Sequence, residues 1–185
     1  MKTTMLKLMI TTVLVMVIGA TAALAYEIGD VVEDFTLTDL NEEVVSLSDE
    51  AGQIIVLNFF TTWCLGCNEE AAHLEADIWQ GYADENVTVI AIDIQEQLSL
   101  VQGWALAMGV TYPIWLTPDW DLFQLFPDAM ALPYNAILDG NLEIRYAAMG
   151  FDLQAITDMI DFLLEEQGVP VTQSTLGEVK AMFRP

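Results

Sequence analysis

The stretch Asn58-Phe59-Phe60-Thr61-Thr62-Trp63-Cys64-Leu65-Gly66-Cys67-Asn68-Glu69-Glu70 holds both cysteines of this 185-residue chain. The two lie three positions apart, where an apolar run that ends at Phe60 gives way to a helical pattern. A cysteine at a helix N-terminus faces unpaired N–H groups and the positive end of the helix dipole, which favour its thiolate. A thiolate is the nucleophile of thiol–disulfide exchange, and a second nearby cysteine can resolve the mixed disulfide. The stretch therefore predicts a redox-active pair at a strand-to-helix junction.

Other uses of the two cysteines fit the sequence less well. A structural bridge across so short a loop would remove little chain entropy. One Cys-x-x-Cys supplies only two zinc ligands, and His73 is the only histidine. No histidine follows Cys67, so the covalent haem motif is absent. We therefore expect no cofactor or metal beyond a redox-active Cys64–Cys67 disulfide.

The first 25 residues are typical of a secretory signal peptide. Lys2 and Lys7 precede an apolar run over residues 8–18, and small residues follow up to Ala23-Leu24-Ala25. The run is short for a bilayer span, although an uncleaved N-terminal anchor stays an alternative. We predict an exported protein with a signal peptide at 1–25, a folded domain at 26–167 and a C-terminal tail at 168–185.

The charge of the chain is strongly one-sided. All 28 acidic residues follow the predicted signal peptide, whereas only Arg145, Lys180 and Arg184 are basic there. Nucleic acid and anionic membrane surfaces would repel such a chain, so we expect neither as a partner. The acidity indicates either a strongly solvated surface, as in a salty habitat, or a basic partner.

Alternating and apolar segments give the order of the elements. We predict a β-hairpin over 35–47, a buried strand at 54–60, a helix from 68 to the turn at 84–86, and a second buried strand at 87–93. A helix at 98–108, a short strand at 113–116, a short helix at 119–126, strands at 134–138 and 142–146, and a helix at 152–167 follow. This order predicts an α/β, thioredoxin-like fold: a central mixed sheet flanked by helices, with an N-terminal β-hairpin and a central α/β insertion.

Several separate motifs resemble those of one family. They are Gly29…Asp34-Phe35-Thr36-Leu37…Leu40, Leu57-Asn58-Phe59-Phe60-Thr61-Thr62-Trp63-Cys64, Glu70 and Leu132-Pro133. Together they are similar to the TlpA/ResA/CcmG group of thioredoxin-like redoxins, which belongs to the AhpC/TSA-redoxin superfamily. The resemblance covers about residues 27–166, with residues 94–126 as the group's central insertion.

The resemblance implies an activity, a location and partners. Members of the group are exported bacterial thiol–disulfide oxidoreductases, so we expect the bacterial periplasm or the extracellular face of the membrane. The expected partners are disulfide-bearing protein substrates and a membrane electron donor. We expect a monomer that touches the membrane itself only if the N-terminal segment stays uncleaved.

The resemblance also implies roles around the cysteines. Cys64 would be the nucleophile and Cys67 the resolving thiol. Trp63 would cover the disulfide, or alternatively be an ordinary core aromatic. Pro133 would follow a cis peptide bond opposite the disulfide, where the backbone of Leu132 could bind an extended substrate chain.

Two polar residues are further candidates for the site. Asn58 occupies the position of a buried aspartate in thioredoxin itself, so a carboxylate base is missing there. Glu70 could serve as the acid–base group instead, or alternatively be a helix-surface glutamate. His73, one turn further along the helix, is interpreted as structural.

The direction of electron flow and two other functions stay open. Leu65-Gly66 lacks the family's usual proline, and that dipeptide influences the redox potential, although we expect a reductant. A thiol peroxidase using Cys64 is an alternative, because Thr61-x-x-Cys64 matches the peroxiredoxin Thr-x-x-Cys, but Leu57 stands where a proline is expected. A non-catalytic binding module that keeps the fold is the other alternative.

Overall fold

A seven-stranded mixed sheet with the strand order β2-β1-β5-β4-β3-β6-β7 forms the centre of the molecule. The computed structural model describes residues 25–168, so all but the last residue of the predicted signal peptide and all but the first residue of the predicted tail lie outside the described residues. The strands are β1 (Thr36–Asp39), β2 (Val44–Ser46), β3 (Ile54–Phe60), β4 (Val87–Ile94), β5 (Ile114–Thr117), β6 (Tyr134–Leu138) and β7 (Ile144–Met149). The helices are α1 (Leu65–His73), α2 (Leu98–Met108), α3 (Asp121–Gln124) and α4 (Leu153–Glu166). The predicted α/β, thioredoxin-like fold is confirmed.

The two central strands are β3 and β4, and every residue in them is buried. Their apolar runs have no polar face because the sheet is covered on both sides. β3 runs parallel to β4 and antiparallel to β6, with Asn58 opposite Asn135. The central strands therefore bring two asparagines side by side in the interior.

Alternate residues of β3 enter two different apolar clusters, one on each face of the sheet. Ile54 and Val56 pack with α1, α2 and α4. Ile55 and Leu57 pack on the other face, where Phe123 and Phe126 lie. Between residues 25 and 168, no helix is both long and apolar enough to cross a membrane.

The N-terminal hairpin and the central insertion meet in the sheet. β1 pairs with β2 as predicted, and its other edge pairs antiparallel with β5 of the insertion, Thr38 opposite Leu116. β5 in turn lies parallel to β4. The insertion therefore adds a strand that connects the hairpin to the centre of the sheet.

The helix after the cysteines is shorter than predicted. α1 ends at His73 and continues as a wider, π-helical segment over Leu74–Trp79, not as one helix up to residue 84. Its wider turn includes the bond from the Gln80 N–H to the Glu75 carbonyl (2.9 Å). The side chains of Glu75 and Trp79 both bond to Thr111, which lies before β5. The change of helix type thus coincides with contacts to a distant loop, and the hydrophobic periodicity of the sequence does not encode such contacts.

The C-terminal hairpin and helix follow the prediction closely. β6 and β7 pair antiparallel, although β7 begins at Ile144 and not at residue 142. Asp152 caps α4 by accepting the Ala155 N–H at 3.1 Å, as an N-terminal aspartate commonly does. The predicted inward residues of α4 are buried: Ile156, Met159, Ile160, Leu163 and Leu164.

Candidate active site

The two cysteines form a disulfide at the start of α1. Cys64 is the N-cap residue of that helix, and its Sγ accepts the Cys67 N–H at 3.2 Å. The S–S distance is 2.14 Å. Cys64 is 8% exposed and Cys67 2%, so Cys64 is the more exposed residue of the pair. The predicted pair and its place at a strand-to-helix junction are confirmed.

Pro133 lies directly against the loop between the cysteines. A Cβ added at Gly66 would stand 3.1 Å from the Pro133 Cδ, which is closer than ordinary van der Waals contact. The Leu132–Pro133 peptide bond is cis, as expected from the resemblance. Gly66 therefore has a structural reason to lack a side chain: it lets Pro133 approach the disulfide loop.

Trp63 faces solvent. The residue is 68% exposed, and Leu65 on the other side of Cys64 is 79% exposed. The alternative interpretation of Trp63 as a core aromatic is therefore wrong. Two exposed apolar side chains therefore flank Cys64, the candidate nucleophile, in the sequence. Leu132, the residue before Pro133, is half-buried. The covering of the disulfide by Trp63 stays a prediction.

Glu70 is buried beneath this surface and bonds to two asparagines. It is only 2% exposed, so the alternative of a helix-surface glutamate is wrong. Asn58 donates to its Oε1 at 2.6 Å, and Asn135 donates to its Oε2 at 3.2 Å. Burial raises the pKa of the Glu70 carboxyl to about 7, although both amide donors act to lower it. A carboxyl that titrates near neutrality lies three residues from Cys67, on the same side of one helix.

Asn135 is a member of the site that sequence reasoning missed. Besides its bond to Glu70, its Nδ2 donates to the Gly150 carbonyl at 3.0 Å, and its Oδ1 accepts from Asn58 at 3.1 Å. The available signal was an asparagine inside the apolar run Tyr134–Leu138, the same pattern as Asn58 inside Ile54–Phe60. Buried amides need partners, so two of them on neighbouring strands indicate a polar network.

A second carboxyl group near the cysteines was also missed. Glu96, in the loop after β4, accepts from the backbone N–H and the hydroxyl of Thr62. Asp93, at the end of β4, is 0% exposed. The signal was an aspartate that ends an apolar strand, on the same sheet edge where β3 leads into the cysteines.

Between residues 25 and 168, the residues that a peroxidase would use are not assembled, and Arg184 lies outside this range. Thr61 is 1% exposed, and its hydroxyl is buried with no hydrogen-bond partner. Arg145, the only lysine or arginine between residues 25 and 168, bonds to Asp139 (3.1 Å) and Glu166 (2.9 Å). Asp139 follows the end of β6 opposite to Pro133, so the guanidinium lies away from Cys64.

His73 forms no metal centre with the acidic side chains of residues 25–168. His73 bonds to Asp77 at 2.8 Å and stacks on Phe151, as its structural interpretation requires. In the part of the chain that the structure describes, no group of three or more His, Cys, Asp or Glu side chains could hold a metal ion.

A thioredoxin-like fold with a Cys-x-x-Cys disulfide at a helix N-terminus defines the class of thiol–disulfide oxidoreductases. The model of the AhpC/TSA family matches residues 28–147, and the chain belongs to that family. It is 29% identical over 126 residues to the thiol-disulfide oxidoreductase ResA of Geobacillus kaustophilus, covering 68% of this chain and 71% of that protein. It is 31% identical over 93 residues to ResA of Oceanobacillus iheyensis, covering 48% of each.

The fold is also shared with a solved structure. The crystal structure of a thiol:disulfide interchange protein from Chlorobium tepidum superposes with a TM-score of 0.64 at 20% identity. The match covers 76% of this chain and 99% of that one. This similarity supports the fold. The matched part of the chain covers 71% of the length of the Geobacillus relative and 48% of the Oceanobacillus relative.

Proposed function

We propose that the protein is an exported oxidoreductase that reduces disulfides of other proteins through Cys64 and Cys67. The observation that carries the proposal is the position of Cys64 at the N-terminus of α1: its sulfur is bonded to Cys67, and the residue is the more exposed of the two. The resemblance of residues 1–25 to a signal peptide supports export. The names of the ResA relatives support exchange with disulfides.

The exchange takes two steps. The Cys64 thiolate attacks one sulfur of the partner disulfide, and the other partner sulfur leaves as a thiolate. Cys67 then loses its proton, attacks the Cys64 sulfur, and expels the partner's second thiolate. Two electrons pass from the Cys64–Cys67 dithiol to the partner, and the protein is left as the disulfide seen here.

Glu70 is the group that we assign to the second step. It lies one helical turn after Cys67 and is buried, so it can accept the Cys67 proton without bulk water. A group whose pKa is about 7 is well matched to proton transfer at neutral pH. Asn58 and Asn135 orient its two carboxyl oxygens.

The surroundings of Cys64 favour a reductant. A strong oxidant of this class stabilises its thiolate, which lowers the thiol pKa. Here the helix N-terminus favours the thiolate, but the only lysine or arginine of residues 25–168 is engaged elsewhere. Three carboxyl groups lie near Cys64: Glu69 and Glu70 follow it closely in the sequence, and Glu96 bonds to Thr62, two residues before it. We therefore expect a potential near or below that of thioredoxin, about −270 mV, and renewal of the dithiol by a membrane electron donor.

Trapping tests the exchange directly. Cys67→Ser leaves the nucleophile and removes the resolving thiol, so it should accumulate mixed disulfides with partner proteins. Cys64→Ser is the matched control and should accumulate far fewer, because Cys67 is less exposed. Equal trapping by both variants, or by neither, would show that Cys64 is not the nucleophile.

A redox titration tests the direction. The fraction of oxidised Cys64–Cys67 is measured against a dithiothreitol or glutathione series. A potential near that of strong oxidants of the fold, about −120 mV, would contradict the proposed reductant.

Loss of the signal sequence from protein recovered outside the cytoplasm, read by mass spectrometry, tests export.

A further inference from the structure

The loop that leads into Cys64 is held by a pair of carboxyl groups. Glu96 Oε1 accepts the Thr62 hydroxyl at 2.7 Å, and Oε2 accepts the Thr62 N–H. The Glu96 N–H in turn donates to Asp93 Oδ1 at 3.2 Å. Thr62 lies two residues before Cys64, so these contacts connect the end of β4 to the nucleophile.

Asp93 has an oxygen that needs explanation. The residue is 0% exposed, and its Oδ2 is buried and accepts no hydrogen bond. A buried, unpaired carboxylate oxygen is costly. Glu96 is in direct contact with this carboxyl through its N–H, which bonds to Oδ1, and its own carboxyl is the neighbouring charge that acts on Asp93. A protonated Asp93 would donate to Glu96 and leave no unpaired atom.

The charges around Asp93 favour this protonated form. The residues opposite it are Phe60 on β3 and Leu116 on β5, and neither is charged. Glu96 is the charged group that faces it. Burial, followed by the bond to Glu96 and the negative charge of Glu96, raises the pKa of Asp93 to about 8. The other buried carboxyl near the cysteines, Glu70, bonds to Asn58 and Asn135.

We propose that Asp93 and Glu96 share one proton and act together as a positioning pair that fixes the loop before Cys64 through Thr62. The inference rests on the proposed function, because the pair matters only if Cys64 is the nucleophile. With the proton in place, Glu96 is free to accept both Thr62 bonds and the Asp93 O–H. When the proton leaves, the buried Asp93 carboxylate faces the partly buried Glu96 carboxylate, Glu96 moves off towards solvent, and Thr62 loses both anchors.

Fluorine NMR of the oxidised protein tests the pair without requiring any exchange activity. The tryptophans are labelled as 5-fluorotryptophan, and Trp63→Phe assigns the Trp63 resonance. The measurements use a Glu70→Gln background, because Glu70 also titrates in this range. We expect the Trp63 resonance to shift with a single midpoint near pH 8, where the pair loses its proton.

Two variants separate the pair from general effects of pH. Asp93→Asn keeps a donor to Glu96 but cannot ionise, so the transition should disappear. Asp84→Asn, an exposed carboxylate in the turn before β4, should keep it. No transition between about pH 6 and about pH 9.5, or an unchanged transition in Asp93→Asn, would overturn the proposal.

An infrared measurement keeps the proposal testable if Asp93→Asn does not fold. In the Glu70→Gln protein at neutral pH, we expect one protonated carboxyl band that vanishes with a midpoint near pH 8. Its absence would overturn the shared proton.

Positioning itself is tested by the rate of mixed-disulfide formation, since small displacements of a reacting group cost large factors. We expect Glu96→Gln to lower that rate about tenfold at neutral pH. Thr62→Val, which keeps the backbone N–H and loses only the hydroxyl bond, should lower it less. An unchanged rate in Glu96→Gln would overturn the positioning role. A pH transition in a protein that exchanges no disulfides would refute the proposed function and leave the shared proton standing.

Discussion

Glu70 and Asp93 are both buried carboxyl groups, but their neighbours differ in kind. Glu70 receives hydrogen bonds from two neutral amides, which favour its charged form. Asp93 faces another carboxyl group, which disfavours it. Burial raises both pKa values, to about 7 for Glu70 and to about 8 for Asp93. Near neutral pH the Glu70 carboxyl is therefore close to its titration midpoint, whereas the Asp93 carboxyl is mostly protonated.

The raised pKa of Glu70 predicts a loss of stability as the pH rises. The folded state holds this proton more tightly than the unfolded chain, whose carboxyl has the ordinary pKa of 4.5. The stabilisation is thus complete below pH 4.5 and is lost as the pH rises towards 7. The difference of about 2.5 pKa units corresponds to about 3 kcal/mol of unfolding free energy.

Urea unfolding at several pH values measures this effect against Glu70→Gln, which cannot ionise. The difference in unfolding free energy, protein minus variant, should fall by up to about 3 kcal/mol between pH 4.5 and pH 7. Asp93 and the surface carboxyls are present in both proteins, so their contributions cancel to a first approximation. A difference that is flat with pH would contradict the buried, raised carboxyl.

At the level of elements, α1 and the turn before β6 are fitted to one another at Gly66. A methyl group at this position would meet the Pro133 ring at 3.1 Å. We expect Gly66→Ala to displace Pro133 or the disulfide loop and to slow exchange with protein disulfides about tenfold.

Gly103→Ala is the matched control for Gly66→Ala. Gly103 lies within α2, and a Cβ added there would meet nothing within 4 Å. That change should leave the exchange rate alone and raise the unfolding free energy by about 0.5–1 kcal/mol, since alanine is the better helix former. Rates measured with insulin as substrate compare the two. If Gly66→Ala exchanged disulfides as fast as the unmodified protein, the close contact between Gly66 and Pro133 would not be needed for exchange.

Most elements could be predicted from the sequence because their signals are local. The apolar runs of β3 and β4, the hairpins and the amphipathic α4 each carry their own pattern. The change from α1 to a π-helical segment depends on Thr111, over thirty residues away in sequence from Glu75 and Trp79. Periodicity cannot report such a contact.

The sequence predicted the two cysteines of the candidate site, but it predicted fewer of the polar side chains around them. Cys64, Cys67 and Pro133 were found because their spacing and the family motifs are specific. Glu70 is buried, and its two carboxyl oxygens accept hydrogen bonds from Asn58 and Asn135 on two neighbouring strands. Asp93 and Glu96 lie beside the loop before Cys64 because the sheet brings the end of β4 next to the end of β3. Which polar side chains meet is decided by the packing of distant segments.

At the scale of the whole molecule, charge is the dominant feature. The chain has a formal net charge of −23 at pH 7. The one lysine or arginine in residues 25–168, Arg145, is neutralised by Asp139 and Glu166. The folded domain is therefore strongly acidic, and the exposed Glu69 places a carboxylate on the helix that begins at Cys64.

The negative field of such a domain should select partners by charge before any side chain is in contact. A disulfide-linked peptide rich in lysine should exchange with the reduced protein at least about tenfold faster than one rich in glutamate, at low ionic strength. Raising the salt from about 0.01 M to about 0.5 M shortens the Debye length from about 30 Å to below about 8 Å, so the two rates should converge. A small uncharged disulfide is the control, and its rate should change little with salt. Stopped-flow rates from the three substrates across the salt series measure the effect, and equal rates for both peptides at low salt would show that the acidic surface does not steer substrates to Cys64.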